Sequence, residues 1–290
     1  MKKSTLLLLF ALFIPSSILA QQQIDYGSND QVGKFINISD IKVYYETYGE
    51  GEPLLLFHGN GGSMHHFGLQ IPELSRHFKV IAVDSRGQGR TTDSDKEITY
   101  SLMASDMNEL IDKLKFESVY VAGYSDGGII GIELAFAHPE KVKKLVAFGA
   151  NYTHENAMAT PDSVTMDIYD PLIVQFIAIR QAQAKIASVR STPKPVISTG
   201  IKKKLEVLME KYPNFTKEQL QQIKVPTLIM AGDHDLISLQ HTIDLFSSLP
   251  HAQLFIIPGV THAAPYEQPE LISSMRSEER RVGKECRSRW

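Results

Sequence analysis

Three kinds of polar residue stand where chemistry could be done, each directly behind an apolar run of strand length. Ser125 lies in Gly123-Tyr124-Ser125-Asp126-Gly127-Gly128 after Val119 to Ala122. Two aspartates lie in Ala231-Gly232-Asp233-His234-Asp235 after Thr227 to Met230, and His262 closes Gly259-Val260-Thr261-His262 after Leu254 to Ile257. A serine hydroxyl that keeps its proton is a poor nucleophile, so an imidazole must accept the proton and a carboxylate must orient the imidazole. Ser125 and His262 take the first two parts. Asp233 and Asp235 compete for the third, because both follow the same strand. The glycines around Ser125 read as a strained strand-to-helix turn, where small neighbours permit close backbone approach and hold the hydroxyl clear of the sheet.

Acyl transfer also needs backbone N–H donors already aimed at the oxyanion, each worth about 10²–10³ in rate. The N–H of Asp126, at the start of the helix after the turn, is one candidate. The other is expected from His58-Gly59-Asn60-Gly61-Gly62-Ser63, which follows the apolar run Pro53 to Phe57; Asn60 is the first choice and Gly61 the second. In Asp84-Ser85-Arg86-Gly87-Gln88-Gly89-Arg90 the expected role is structural, with Asp84 and Arg86 pinning loops below the site. His65, His66, His154, His234 and His241 show no spacing that compels a metal site, and neither a metal nor an organic cofactor is expected.

The elements that position these residues follow from the alternation of strand-length apolar runs with helical patterns, which argues for a mostly parallel sheet flanked by helices on both faces. Lys34 to Ser39 and Ile41 to Tyr48 read as an opening antiparallel pair. Further strands are expected at Pro53 to Phe57, Lys79 to Val83, Ser118 to Ala122, Val142 to Phe148, Val225 to Met230 and Gln253 to Ile257, eight in all. Leu102, Met107, Leu110, Ile111 and Leu114 recur at helical spacing, as do Ile129, Ile130, Leu134 and Ala137 after Ser125. Between residues 151 and 224 the alternation stops and the pattern turns helical, best over Leu172 to Ser188 and Ile201 to Tyr212. That stretch is read as a helical lid inserted after the sixth strand, over the carboxyl ends where open α/β sheets bind ligands. The core is thereby divided into residues 21–150 and 225–275.

Composition narrows the function classes. The chain has 290 residues, 43% apolar and 22% charged, with a net charge of -3, which is ordinary for a globular protein and offers no basic patch for nucleic acid. Both ends differ from the rest. Met1-Lys2-Lys3, the apolar run Leu6 to Ile14 and the small residues up to Ala20 have the layout of a secretory signal peptide over residues 1–20, cleaved before Gln21. The expected location is periplasmic or secreted, with no membrane anchor after cleavage, since the run is short against about 30 Å of hydrocarbon. Residues 276–290 change composition abruptly, hold the single Cys and single Trp, and resemble the in-frame translation of a sequencing adapter. They are read as an artefact that cuts short a helix beginning near Pro269. The two ends carry eight Lys/Arg and three Glu, so the part between them falls from -3 to -8 and contains no cysteine. Sequons open at Asn37, Asn151 and Asn214, relevant only to a eukaryotic secretory route.

With the chain order Ser, Asp, His, the His58-Gly59 loop and Asp84-x-Arg86-Gly87-x-Gly89, residues 34–275 resemble the α/β-hydrolase superfamily. In that pattern the acid stands three residues after a glycine such as Gly232, which favours Asp235 and leaves Asp233 as a loop hydrogen-bonding residue. Gly123-Tyr124-Ser125-Asp126-Gly127-Gly128 followed by Gly149-Ala150-Asn151 resembles the valacyclovir hydrolase, or biphenyl-hydrolase-like, branch, although Tyr124 stands where that branch has tryptophan. The resemblance implies a serine hydrolase of small-molecule carboxylic esters, with Tyr124 and Asp126 in substrate binding and Asp126 recognising an ammonium group of α-amino acid esters. Carbon-carbon bond hydrolysis, lactonase and perhydrolase chemistry use the same triad. A non-catalytic ligand-binding sensor of the same fold is the alternative outside enzymology.

Overall fold

The computed structural model describes residues 24–159 and 198–273. The expected signal peptide, residues 160–197 of the 151–224 insertion with the helix expected over Leu172 to Ser188, and the tail from residue 276 lie outside them.

Eight strands form one sheet: β1 Gly33–Ile38, β2 Ile41–Tyr48, β3 Pro53–Phe57, β4 Lys79–Val83, β5 Val119–Tyr124, β6 Val142–Phe148, β7 Thr227–His234 and β8 Ala252–Thr261. Their spatial order is β1-β2-β4-β3-β5-β6-β7-β8. β2 runs antiparallel to β1 and β4, and every pairing from β4 to β8 is parallel. β3, Pro-Leu-Leu-Leu-Phe, is an unbroken apolar run because its faces are covered on both sides, as parallel strands require. Leu55 and Phe57 point into a core with α2 (Tyr100–Lys113) and α3 (Asp126–Ala137), while Leu54 and Leu56 pack on the other face with Met64, Phe67 and Ile71.

Further helices are α1 (Ile71–Leu74), α4 (Thr199–Lys211), α5 (Lys217–Leu220), α6 (Leu239–Ser248) and α7 (Ala264–Glu267), and residues 269–273 are helical where a helix is expected to begin near Pro269. α2 starts where Thr99 accepts from the Leu102 N–H, and α6 where Ser238 accepts from the His241 N–H. α4 coincides closely with the helix expected over Ile201 to Tyr212, and its Lys204 is hydrogen-bonded to Asp93, which ties it to the loop after β4. Among the described residues no helix is long and apolar enough to cross a membrane.

Because β4 lies on one side of β3 and β5 on the other, the chain reverses its direction of winding between β3 and β5. A crevice opens at the carboxyl ends of strands at such a point. The loop after β3 and the turn after β5 meet there.

Candidate active site

Ser125 occupies the turn between β5 and α3 at φ 55, a left-handed conformation that costs energy for any residue with a Cβ. The surroundings hold it there. Its N–H donates to the Phe148 carbonyl at 2.7 Å, and its carbonyl accepts from Gly128 at 2.8 Å. Gly127 lets the first turn of α3 rest on the end of β3, since a Cβ there would stand 1.9 Å from the Phe57 carbonyl oxygen.

Loops after three different strands bring the polar residues together. Ser125 Oγ lies 3.0 Å from His262 Nε2, and His262 Nδ1 lies 2.6 Å from Asp235 Oδ1. Asp235 is buried, and the same oxygen accepts from the Ile237 N–H at 3.0 Å. Asp233 instead uses its Oδ1 to accept from the N–H groups of Gly259 and Val260, at 2.8 and 3.3 Å, and so holds the loop that carries His262. From the other side of that loop, Glu267 accepts from both the N–H and the hydroxyl of Thr261. Gly149 leaves room for the imidazole: a Cβ there would come within 2.7 Å of His262 Cε1, at a backbone φ of +60.

The loop after β3 lies across this group. His58 is buried and ties it to the next loop: its Nε2 accepts from the Ser85 N–H at 3.0 Å, and its Nδ1 donates to the Gly59 carbonyl at 2.8 Å. Burial lowers the His58 pKa to about 4, so the ring is neutral. The Gly61 N–H, the second choice for an oxyanion donor, donates to Gln88 Oε1 at 2.7 Å. Asn60 sits beside Asp126, with its Nδ2 donating to Asp126 Oδ2 at 2.8 Å. The other carboxylate oxygen of Asp126 accepts from Tyr100 Oη at 2.9 Å. Burial raises the Asp126 pKa, with the Asn60 and Tyr100 hydrogen bonds opposing the rise. Tyr124 is half-buried between the rings of His66, Phe148 and His262.

Below the crevice, Asp84 accepts from the N–H groups of Met64 and Arg90 at 2.8 Å each. The wholly buried Arg86 grips Asp106 with two hydrogen bonds and Asp40 with a third. Both residues pin loops. Gln88 and Tyr100 escaped the sequence reading, because a glutamine in a glycine-rich loop and a tyrosine opening a helix carry no signal of the partners that the fold supplies.

A neutral imidazole between a hydroxyl and a buried carboxylate can remove the hydroxyl proton and bear the resulting charge. The chain is similar to known hydrolases. The profile of the family described as alpha/beta hydrolase fold matches residues 52–194. A meta-cleavage product hydrolase from Pseudomonas fluorescens IP01 superposes with a TM-score of 0.69 over 86% of this chain and 97% of its own, at 23% identity. A 2-hydroxy-6-oxo-6-(2'-aminophenyl)hexa-2,4-dienoic acid hydrolase from Metapseudomonas resinovorans is 26% identical over 87% of this chain and 91% of its own. The chain has the fold of the α/β-hydrolases. Within them it lies near the biphenyl-hydrolase-like branch: human serine hydrolase BPHL is 33% identical over 131 residues, 42% of this chain and 45% of the human protein.

Proposed function

We propose that the protein hydrolyses carboxylic esters of small molecules through an acyl-enzyme on Ser125. The observation that carries this reading is the continuous relay from Ser125 Oγ to His262 Nε2 at 3.0 Å and from His262 Nδ1 to Asp235 at 2.6 Å. Ser125 Oγ attacks the ester carbonyl carbon while His262 Nε2 takes its proton, and Asp235 stabilises the imidazolium. The oxyanion is received by the N–H groups of Asn60 and Asp126, the latter at the positive end of α3. Collapse of the tetrahedral intermediate expels an alkoxide, to which His262 returns the proton. Water then attacks the acyl-enzyme with His262 again as base, and the acid is released.

An ester suits this set of residues because its leaving group is an oxygen that one imidazole can protonate. Cleavage of a carbon-carbon bond would in addition require protonation at carbon.

A fluorophosphonate probe tests the reading through intact mass. Wild-type protein is expected to gain one phosphonyl group and to lose turnover of p-nitrophenyl butyrate in parallel, whereas Ser125→Ala gains none. His262→Ala should lower kcat by about 10⁴ with an unchanged circular dichroism spectrum. A folded wild type that neither labels nor turns over esters would leave the sensor reading instead.

A further inference from the structure

The carboxylate of Asp126 is set apart from its N–H by its surroundings. It is 6% exposed, its Oδ2 accepts from Asn60 Nδ2 at 2.8 Å, and its Oδ1 accepts from Tyr100 Oη at 2.9 Å. Asn60 stands in the loop after β3, Tyr100 opens α2, and Asp126 opens α3, so one side chain joins three elements beside the nucleophile. The Asn60 side chain is thereby fixed to the residue that supplies the second N–H donor. The neighbouring Gly61 N–H is fixed separately, by the buried Gln88.

Oxyanion donors act through preorganisation, and a misplacement of about 1 Å can cost about 10²-fold in rate. The loop Gly59-Asn60-Gly61-Gly62 contains three glycines and has little intrinsic stiffness. Something outside it must hold the Asn60 N–H in place. We propose that the Asp126 carboxylate is a positioning group for the oxyanion pocket, clamping Asn60 through its side-chain amide and taking its own orientation from Tyr100. This rests on the acyl-transfer reading given above. It assigns the carboxylate to the protein's own groups and not to a cation on the substrate.

The two roles differ in what they require of Asp126. Recognition of an ammonium requires a negative charge, whereas clamping requires only a hydrogen-bond partner of the right reach. In Asp126→Asn the introduced amide is neutral, and the Asn60 carboxamide can reverse so that its oxygen accepts from the new NH₂.

The experiment measures kcat and KM for Asp126→Ala, Asp126→Asn, Asn60→Ala and the double alanine variant. The substrates are two matched p-nitrophenyl esters, one with a free α-amino group and one with that nitrogen acetylated. Clamping predicts that Asp126→Ala lowers kcat about 10²-fold on both esters with KM within about threefold. Asp126→Asn should recover kcat to within about tenfold of wild type on both. Asn60→Ala keeps its backbone N–H but loses the clamp, so it should match Asp126→Ala, and the double variant should be no worse than either. A loss confined to the free amine, in both Asp126 variants, would overturn the proposal in favour of ammonium recognition. Multiplicative losses in the double variant, or an unchanged kcat in Asn60→Ala, would also overturn it. Should Asp126→Ala not fold, Asn60→Ala and Asp126→Asn decide alone. Failure of the underlying reading is separate, since wild-type protein would then take no fluorophosphonate label.

Discussion

His58 is a histidine that the fold keeps from charging. Both ring nitrogens are engaged, one donating to Gly59 and one accepting from Ser85, and burial lowers the pKa to about 4 from the usual 6.5. Between those two values the unfolded chain binds a proton at His58 and the folded chain does not. Stability is therefore lost as pH falls through the window, by about 3 kcal/mol for a shift of this size. His241, also buried, with Nε2 accepting from the Tyr152 N–H and a pKa lowered to about 4, acts in the same direction. Asp84 acts in the opposite direction. Burial raises its pKa to about 7, so the folded chain keeps a proton that the unfolded chain gives up, and its contribution declines as pH rises from about 4 to 7. A difference between variants isolates one residue from this sum. Melting temperatures measured from pH 7 to 4.5 should fall less steeply in His58→Gln than in the wild type. Parallel curves would mean that His58 takes up its proton as readily in the folded protein as in the unfolded chain.

At the scale of elements, the helix after Ser125 is seated by absent side chains. A Cβ on Gly127 would lie 1.9 Å from the Phe57 carbonyl oxygen, and one on Gly123 would lie 2.1 Å from the Gly127 carbonyl oxygen. These neighbours are backbone and cannot swing aside. Gly127→Ala must lift α3 off β3, which should cost about 3 kcal/mol in urea unfolding and displace the Asp126 N–H, lowering kcat more than it raises KM. Elements of this kind were legible in the sequence to different depths. β3, β4 and β6 fall on the expected residues because sharp changes from apolar to turn residues bound them. β7 and β8 run past their apolar cores, to His234 and Thr261, because the ladder continues through polar residues across a register shift between Gly232 and His234. Hydrogen bonding to a neighbouring strand extended them, and no periodicity announces it. Helices of four residues, Ile71–Leu74 and Lys217–Leu220, are too short to show a helical repeat at all.

At the scale of the whole molecule, the residues that meet at the site were visible in the chain because each follows a strand, and parallel strands deliver their ends to one edge. The ties between them were not visible: Asn60 to Asp126 spans 66 residues and Gln70 to the Pro265 carbonyl spans 195, separations that only the folded sheet closes. The sheet is not uniform in its resistance to opening. β3 and β4 are covered on both faces and flanked on both sides, whereas β8, with most of its residues half-exposed, is an edge strand paired to β7 alone among the described residues. Local opening follows the regions with least burial, and β8 leads directly into His262. Ester turnover should therefore be lost at lower urea than the far-ultraviolet circular dichroism of the sheet and helices. Asp233 holds β8's final residues through the N–H groups of Gly259 and Val260, so Asp233→Ala should widen the gap between the two transitions while leaving the second nearly in place. If activity and secondary structure instead vanish together in both proteins, the edge strand opens only with the whole sheet. His262 would then be secured by the fold's global stability, and the hydrogen bonds of its own loop would add nothing further.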